Sequence, residues 1–258
     1  MIPKIIHYCW FGHNQLPELA EKCIESWKKY LPDYEIKEWN EENFDLEVCS
    51  YVKEAYAEKK WAFVSDYARF WIIYNYGGLY FDTDVEIIKP IADIIERGAF
   101  MGLEKQASYN TTEKVAIAAG LGIGAEEKNP IYKEILDGYA KRHFLYSDGR
   151  RDETTVVSYI TDIFQHYGWQ KKNKYQVIQD INLYPTDYFC PMDFATGEIE
   201  LTENTRSIHH YTATWQSPSM QKVVNIMREW KKAKGIKRLI LYIELFFARL
   251  INKISTFV

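Results

Sequence analysis

Cysteine is scarce in this chain and shows no pattern. Cys9, Cys23, Cys49 and Cys190 are scattered over 258 residues, with no CxxC pair and no zinc-ligand spacing. That excludes a disulfide-stapled scaffold or zinc module and points to buried free thiols in a reducing compartment. No stretch offers the roughly 20 uninterrupted apolar residues of a membrane span. No apolar leader precedes the first strand-like run, Lys4 to Cys9, so the expected location is the cytoplasm. Neither charge sign dominates: 32 Lys and Arg against 36 Asp and Glu leave a net charge of −4. A general attraction to nucleic acid is therefore not expected. There is no internal repeat, no low-complexity tract and no clear linker before about Lys231.

Aromatic residues are plentiful, at 16% with 20 Tyr and 8 Trp. Most of them serve a core, but such a supply also suits clefts that stack on sugars and bases. The hydrophobic pattern alternates between strands and helices. Ile5 to Cys9 reads as a buried strand, Pro17 to Tyr30 as a helix and Tyr34 to Trp39 as a strand. Tyr51 to Lys60 and Ser65 to Tyr76 read as helices, the second stopped by Gly77-Gly78. Leu79-Tyr80-Phe81 is a short strand running into Asp82. Phe100 to Leu103 and Leu121 to Ala125 read as further strands. Helices are expected over Ile131 to His143, Thr154 to Tyr167 and Met220 to Lys232, with strand or loop at Arg206 to Tyr211. Strands separated by helices imply an α/β fold around a mostly parallel central sheet. Ligands of such sheets bind beyond the carboxyl ends of the strands, where Asp82 falls.

Three clusters can carry chemistry. In Gly77-Gly78-Leu79-Tyr80-Phe81-Asp82-Thr83-Asp84, two carboxylates one residue apart follow an apolar strand. Both can reach one hard cation, and Mn²⁺ or Mg²⁺ favours such oxygen ligands. A bound cation of this kind neutralises the charge of a diphosphate leaving group. An isolated Asp-x-Asp is more often a pair of solvated loop acids. The haloacid-dehalogenase phosphatases use the same spacing, with Thr or Val two residues further on. Here Glu86 holds that position, and the motif lies a third of the way along the chain. Upstream, Ser65-Asp66-Tyr67-Ala68-Arg69 sets Asp66 and Arg69 on one helix face. The pair is either an ordinary ion pair or a grip on ribose and sugar hydroxyls. Downstream, His209 or His210 could complete the metal site. Neighbours on a strand point opposite ways, so one should bind metal and the other pack.

Together these elements resemble glycosyltransferase family 32, sugar transferases with a DXD motif, and most of all its bacterial capsular polysaccharide enzymes. The matching pieces are Ile2 to Gly12, Ser65 to Asp84, Tyr184-Pro185 with Phe189-Cys190-Pro191, and His209 to Trp215. They stand in the expected order over most of the first 215 residues. The resemblance implies a GT-A fold and anomer-retaining transfer of a hexose or N-acetylhexosamine from a UDP-sugar to a saccharide acceptor, in capsular or surface polysaccharide synthesis. It implies that Trp10 stacks on the base and that Asp66 and Arg69, with Ser65, hold donor sugar and ribose. Tyr80 and Asp82 would contact nucleoside or sugar. Asp84, with Asp82 beside it, would bind Mn²⁺ (or Mg²⁺), and His210 would be the second protein ligand with His209 the fallback. Trp215 would close the donor site. Many relatives carry Asn before an Ile-Gly-Ala stretch, whereas this chain has Ala118-Ala119-Gly120-Leu121-Gly122-Ile123-Gly124-Ala125. The competing function is a nucleotide-sugar-binding scaffold without transfer activity.

The division expected is a catalytic domain over 1–230 and a basic, amphipathic helical tail over 231–258. Lys231, Lys232, Lys234, Lys237 and Arg238 precede an apolar stripe running from Ile236 to Ile254. Such a helix can lie on an anionic bilayer or pack against protein. The membrane alternative would make the enzyme peripheral on the inner face of the cell membrane, where the resemblance puts a lipid-linked acceptor.

Overall fold

The computed structural model describes residues 1–106, 114–212 and 218–255. The elements run β1 (Ile5–Cys9), α1 (Glu18–Tyr30), β2 (Glu35–Trp39), α2 (Ser50–Ala57), α3 (Trp61–Tyr76), β3 (Gly78–Tyr80) and β4 (Val85–Ile87). Then come α4 (Ala92–Ile95), β5 (Phe100–Gln106), β6 (Lys114–Ala125), α5 (Pro130–Tyr139), α6 (Val156–His166), β7 (Gln176–Ile178) and β8 (Ile181–Tyr184). α7 (Thr186–Phe189), β9 (Ser207–His209), α8 (Pro218–Lys232) and α9 (Gly235–Ser255) complete the order. The chain divides into two compact units: Met1–Pro191 with Leu201–His210, and Met192–Glu200 with Tyr211–Val258. That division falls well before residue 231, because α8 and α9 pack on each other.

The first unit is α/β. Its seven-stranded sheet has the order β2-β1-β3-β6-β5-β8-β7. β2, β1 and β3 run parallel, as do β5 and β8, whereas β6 is antiparallel to both its neighbours and β7 to β8. The sheet is therefore mixed. β7 and β8 had no clear signal in the hydrophobic pattern, being only three and four residues long. A separate antiparallel ribbon joins β4 to β9.

Helix α3 starts a turn earlier than Ser65 and is buried on several sides, with Val64, Tyr67, Ala68, Phe70, Ile72 and Ile73 all in the core. It packs against β1, β3 and β6. Gly77 ends it with φ +61°. The next residue, Gly78, has φ +95°, and a Cβ there would stand 2.6 Å from the Ile5 carbonyl oxygen. Two glycines are thus needed to turn a buried helix straight into a central strand. That turn delivers Asp82 to the carboxyl end of β3.

In the second unit, Leu241, Leu245 and Ala248 of α9 are buried. Leu245 and Ala248 pack with Val223 of α8, with Ile226 and Met227 against the seam.

Candidate active site

The DXD corner is built from the helix behind β3 and the ribbon in front of it. Arg69 leaves α3 with only 5% of its surface exposed. Its Nη2 lies 3.0 Å from Asp66 Oδ1 and 3.2 Å from Asp82 Oδ1, and its Nε donates to the Ser65 carbonyl at 3.2 Å. The guanidinium also sits over the Tyr80 ring, 5.2 Å from its centroid. Tyr80 Oη donates to Asp82 Oδ1 at 3.1 Å. Asp82 is therefore held by two donors on one oxygen. Its other oxygen faces Gly120 of β6, where an added Cβ would come within 2.2 Å.

The electrostatics follow from enclosure. Burial pushes the Asp66 carboxyl up to about 6, against the pull of Arg69. A buried charge is costly unless paired. Burial likewise disfavours the Arg69 guanidinium, but Asp82, Tyr80 and Asp66 outweigh it and raise its pKa. Arg69 thus stays charged between its two carboxylates. Asp66 gains further support from the Val156 backbone N–H at the start of α6.

Asp84 lies just before β4, and α1 fixes that ribbon. Trp27 Nε1 donates to the Val85 carbonyl at 2.7 Å, and Ser26 Oγ accepts from the Ile87 N–H at 2.9 Å. His209 Nε2 is 3.0 Å from Asp84 Oδ1, both side chains being largely buried. Burial works against the charged imidazole, but Asp84 outweighs it and holds the His209 pKa above its ordinary value. His210, expected as the ligand, instead lies with Nε2 2.9 Å from Glu86 Oε2. Adjacent residues of an extended chain face opposite ways, so only one of the two imidazoles reaches the Asp84 carboxylate, and His210 meets Asp84 through its backbone N–H, which donates to the Asp84 carbonyl at 2.9 Å. The structure puts His209 at that carboxylate.

A divalent cation fits this pair. Ligands about 2.0–2.2 Å from one ion stand about 3 Å apart when adjacent, which matches Asp84 and His209. The carboxylate oxygen suits Mn²⁺ or Mg²⁺, and of the two the imidazole nitrogen favours the softer Mn²⁺. Among the described residues no group of three or more His, Cys, Asp or Glu forms a ready cage. Such ions commonly take few protein ligands and leave positions for phosphate oxygens and water.

The other expected site residues are placed as follows. Trp10 follows β1 at the same carboxyl edge, half-buried, its Nε1 donating to the Asn14 carbonyl at 2.6 Å. The Ser65 hydroxyl is turned back onto the Trp61 carbonyl at 3.1 Å within α3. Trp215 lies outside the described residues. Gly120 and Glu86 join the corner through the fold. Gly120 belongs to the segment where the chain departs from its relatives, and that departure was the one signal available.

Residues 17–101 match the family described as "Glycosyltransferase sugar-binding region containing DXD motif". That span carries Asp66, Arg69, Tyr80, Asp82 and Asp84, and the chain is thereby related to sugar transferases. Inositol phosphoceramide mannosyltransferase 1 of Schizosaccharomyces pombe is 29% identical over 111 residues, 39% of this chain and 33% of that protein. The chain thus spans about a third of the length of that relative. An uncharacterized glycosyltransferase of Acanthamoeba polyphaga mimivirus is 25% identical over 199 residues, 74% of each chain. Among solved structures, the PaToxG glycosyltransferase is similar at a TM-score of 0.45 and 21% identity, covering 65% of this chain and 70% of that one.

Proposed function

We propose that the chain is a metal-dependent, anomer-retaining glycosyltransferase of GT-A type. It moves a hexose or N-acetylhexosamine from a UDP-sugar to a saccharide acceptor in capsular or surface polysaccharide synthesis. One observation carries the reading: at the end of β3, Asp82 is clamped by Arg69 and Tyr80 while Asp84 meets His209 at 3.0 Å.

The residues divide the work. Asp84 and His209 would hold Mn²⁺ or Mg²⁺, which when bound neutralises charge developing on the diphosphate. Asp66 and Arg69 fix Asp82 from behind, leaving it rigid against the donor's sugar or ribose hydroxyls. Trp10, at the neighbouring strand end, offers its ring to the base. Retention is assigned to front-face substitution, in which the leaving phosphate accepts the proton of the acceptor hydroxyl. The protein's contribution is then positioning and preorganised charge rather than a base.

The test is a panel of nucleotide sugars with and without Mn²⁺. Slow, metal-dependent donor hydrolysis is expected. Binding without turnover would favour the scaffold alternative. Asp84→Asn should lower turnover at least about a hundredfold, the size of losing one charge-stabilising group, while the melting temperature stays put. Near-normal turnover at modest Mn²⁺ would sink the metal assignment.

The second unit supports a peripheral position on an anionic membrane, which suits a lipid-linked acceptor at the inner face. No described helix is long and apolar enough to cross a bilayer. At about 100° per residue, Leu241, Leu245 and Ala248 mark one side of α9. Ile236, Leu239, Ile240, Ile243, Phe246 and Phe247 mark the opposite side, each about half exposed or more. Lys237, Arg238 and Arg249 lie on the borders between the two faces, and Lys231, Lys232 and Lys234 precede them. A helix with a basic border and an unpartnered apolar face suits the lipid headgroup boundary. Flotation with anionic vesicles, before and after removing residues 231–258, tests this. Equal partition of both forms into the soluble fraction would reject it.

A further inference from the structure

Towards the β8–β7 edge of the sheet, a cavity of about 400 Å³ opens between α4, β8, α7 and the loop before β9. Its walls combine aromatic rings with fixed polar groups. Tyr184, at the end of β8, meets Tyr175 edge-on at 5.4 Å and Tyr188 in a tilted pair at 4.9 Å between ring centroids. Tyr175 is 42% exposed, so part of this aromatic surface is open. Tyr184 is only 3% exposed, and its buried hydroxyl has no hydrogen-bond partner. A buried hydroxyl left without a partner is uncommon and marks a place where a polar ligand can be gained.

The polar lining is held in place before any ligand arrives. Asp187 Oδ2 accepts from Asn204 Nδ2 at 2.9 Å. Asp93 Oδ2 meets Arg206 Nη2 at 3.1 Å. Asn173 fixes the first turn of α7, its Oδ1 accepting from the Thr186 N–H at 2.9 Å. The lining thus holds two carboxylates, two amides and the Arg97 guanidinium, with Arg206 behind Asp93. Positive charge does not exceed negative, so the cavity is not built for a phosphate. Carboxylates and amides beside open aromatic rings are the partners of a ring bearing hydroxyls on its edge and C–H groups on its face.

Its position relates it to the DXD corner. β8 is three strands from β3 through β5 and β6, about 14 Å at the usual strand spacing. Arg206 ties the two places together. Its N–H donates to the Tyr188 carbonyl and its own carbonyl accepts from the Ile88 N–H. His209 follows three residues on. The separation is too long for one sugar and suits a short chain of them.

We propose that this cavity is a saccharide-binding subsite, which holds an uncharged sugar ring of the acceptor chain several units from the reacting hydroxyl. The proposal rests on the glycosyltransferase reading for the word acceptor, but not for the binding itself. The probes are neutral tetrasaccharides of glucose, mannose and galactose, titrated calorimetrically into the full chain without donor. At least one should bind. Tyr188→Ala, the exposed-ring variant Tyr175→Ala and the surface variant Asn204→Ala should each weaken it at least tenfold, with donor hydrolysis and melting temperature unchanged. Asp84→Asn should leave tetrasaccharide binding intact. Failure of every tetrasaccharide to bind overturns the subsite. So does undiminished binding by the Tyr175 and Asn204 variants. Absence of donor hydrolysis in the unaltered protein, with tetrasaccharide binding present, counts against the glycosyltransferase reading alone.

Discussion

Helices α3 and α9 are both rich in aromatic and aliphatic residues interrupted by charged ones, yet they end in opposite environments. α3 is enclosed by β1, β3 and β6 and by α5, and its one buried cation, Arg69, is bound to two carboxylates. Among its described side chains, α9 buries a seam against α8, Lys237, Arg238 and Arg249 stay exposed, and Ile236, Leu239, Ile240, Ile243, Phe246 and Phe247 face outward. The contrast shows what enclosure demands. A charge enters a helix interior only with its counter-charges, and there it becomes a rigid anchor for a site. Where one side of a helix lacks a partner, the same kind of composition leaves apolar area available to another phase.

The largest effect is expected from Arg69→Met. It should cost about 3–5 kcal/mol, because Asp66 and Asp82 lose their shared partner inside the protein. Urea unfolding measures this. The loss should shrink below pH 6, where Asp66, with its carboxyl pushed up to about 6 by burial, is neutral in the fold. A cost under about 1 kcal/mol at neutral pH would mean that the pair behaves like a surface ion pair.

Next in size is Gly120→Ala. Its methyl would enter the space of Asp82 Oδ2, and a displacement of about 1 Å at such a site costs on the order of a hundredfold in rate. Donor hydrolysis should drop with little change in the melting temperature. Full activity would show that the position of Asp82 is not critical.

The enclosed region also has a pH signature. His7 Nδ1 accepts from Trp39 Nε1 at 3.1 Å and its Nε2 lies 3.1 Å from the Gly77 carbonyl, so the ring is neutral with its proton on Nε2. Burial lowers its pKa to about 4. The unfolded chain, with an ordinary histidine, binds the proton first. Stability from His7 is therefore present above about 6.5 and declines as pH falls towards 4. Asp66 works in the opposite direction over part of that range. The informative measurement is the difference between the parent and His7→Gln, whose melting temperature should fall less on acidification. Parallel pH curves would remove His7 from the account.

The smallest stability effect is expected on α9. Ile243→Ser with Phe246→Ser should change unfolding free energy by no more than about 0.5 kcal/mol per substitution, as at other exposed positions. Vesicle flotation should nevertheless fall. A marked loss of stability would mean that this face is packed against protein.

Much of this was readable along the chain. The alternation of strand and helix, the Gly77-Gly78 stop and the strand end at Asp82 come from local periodicity and from φ values that only glycine adopts readily. Those signals lie within a few residues of each other. The three-residue spacing of Asp66 and Arg69 put them on one helix face in the same way. β7 and β8 escaped because three or four residues make too short a pattern to set a period.

Local spacings along the chain carry the α/β class, the Asp-x-Asp after an apolar strand and the amphipathic character of the tail, since each repeats within a helical turn or a strand. That the His209 rather than the His210 imidazole meets the Asp84 carboxylate depends on how β9 lies against β4. Only the fold brought Gly120 against Asp82, 38 positions earlier in the chain, and let Arg69 reach the same carboxylate. Only the packing of α8 on α9 split one apolar stripe into a buried seam and an open face. These outcomes rest on contacts between distant segments, whose geometry is set by sheet pairing and helix packing, and no local spacing encodes them.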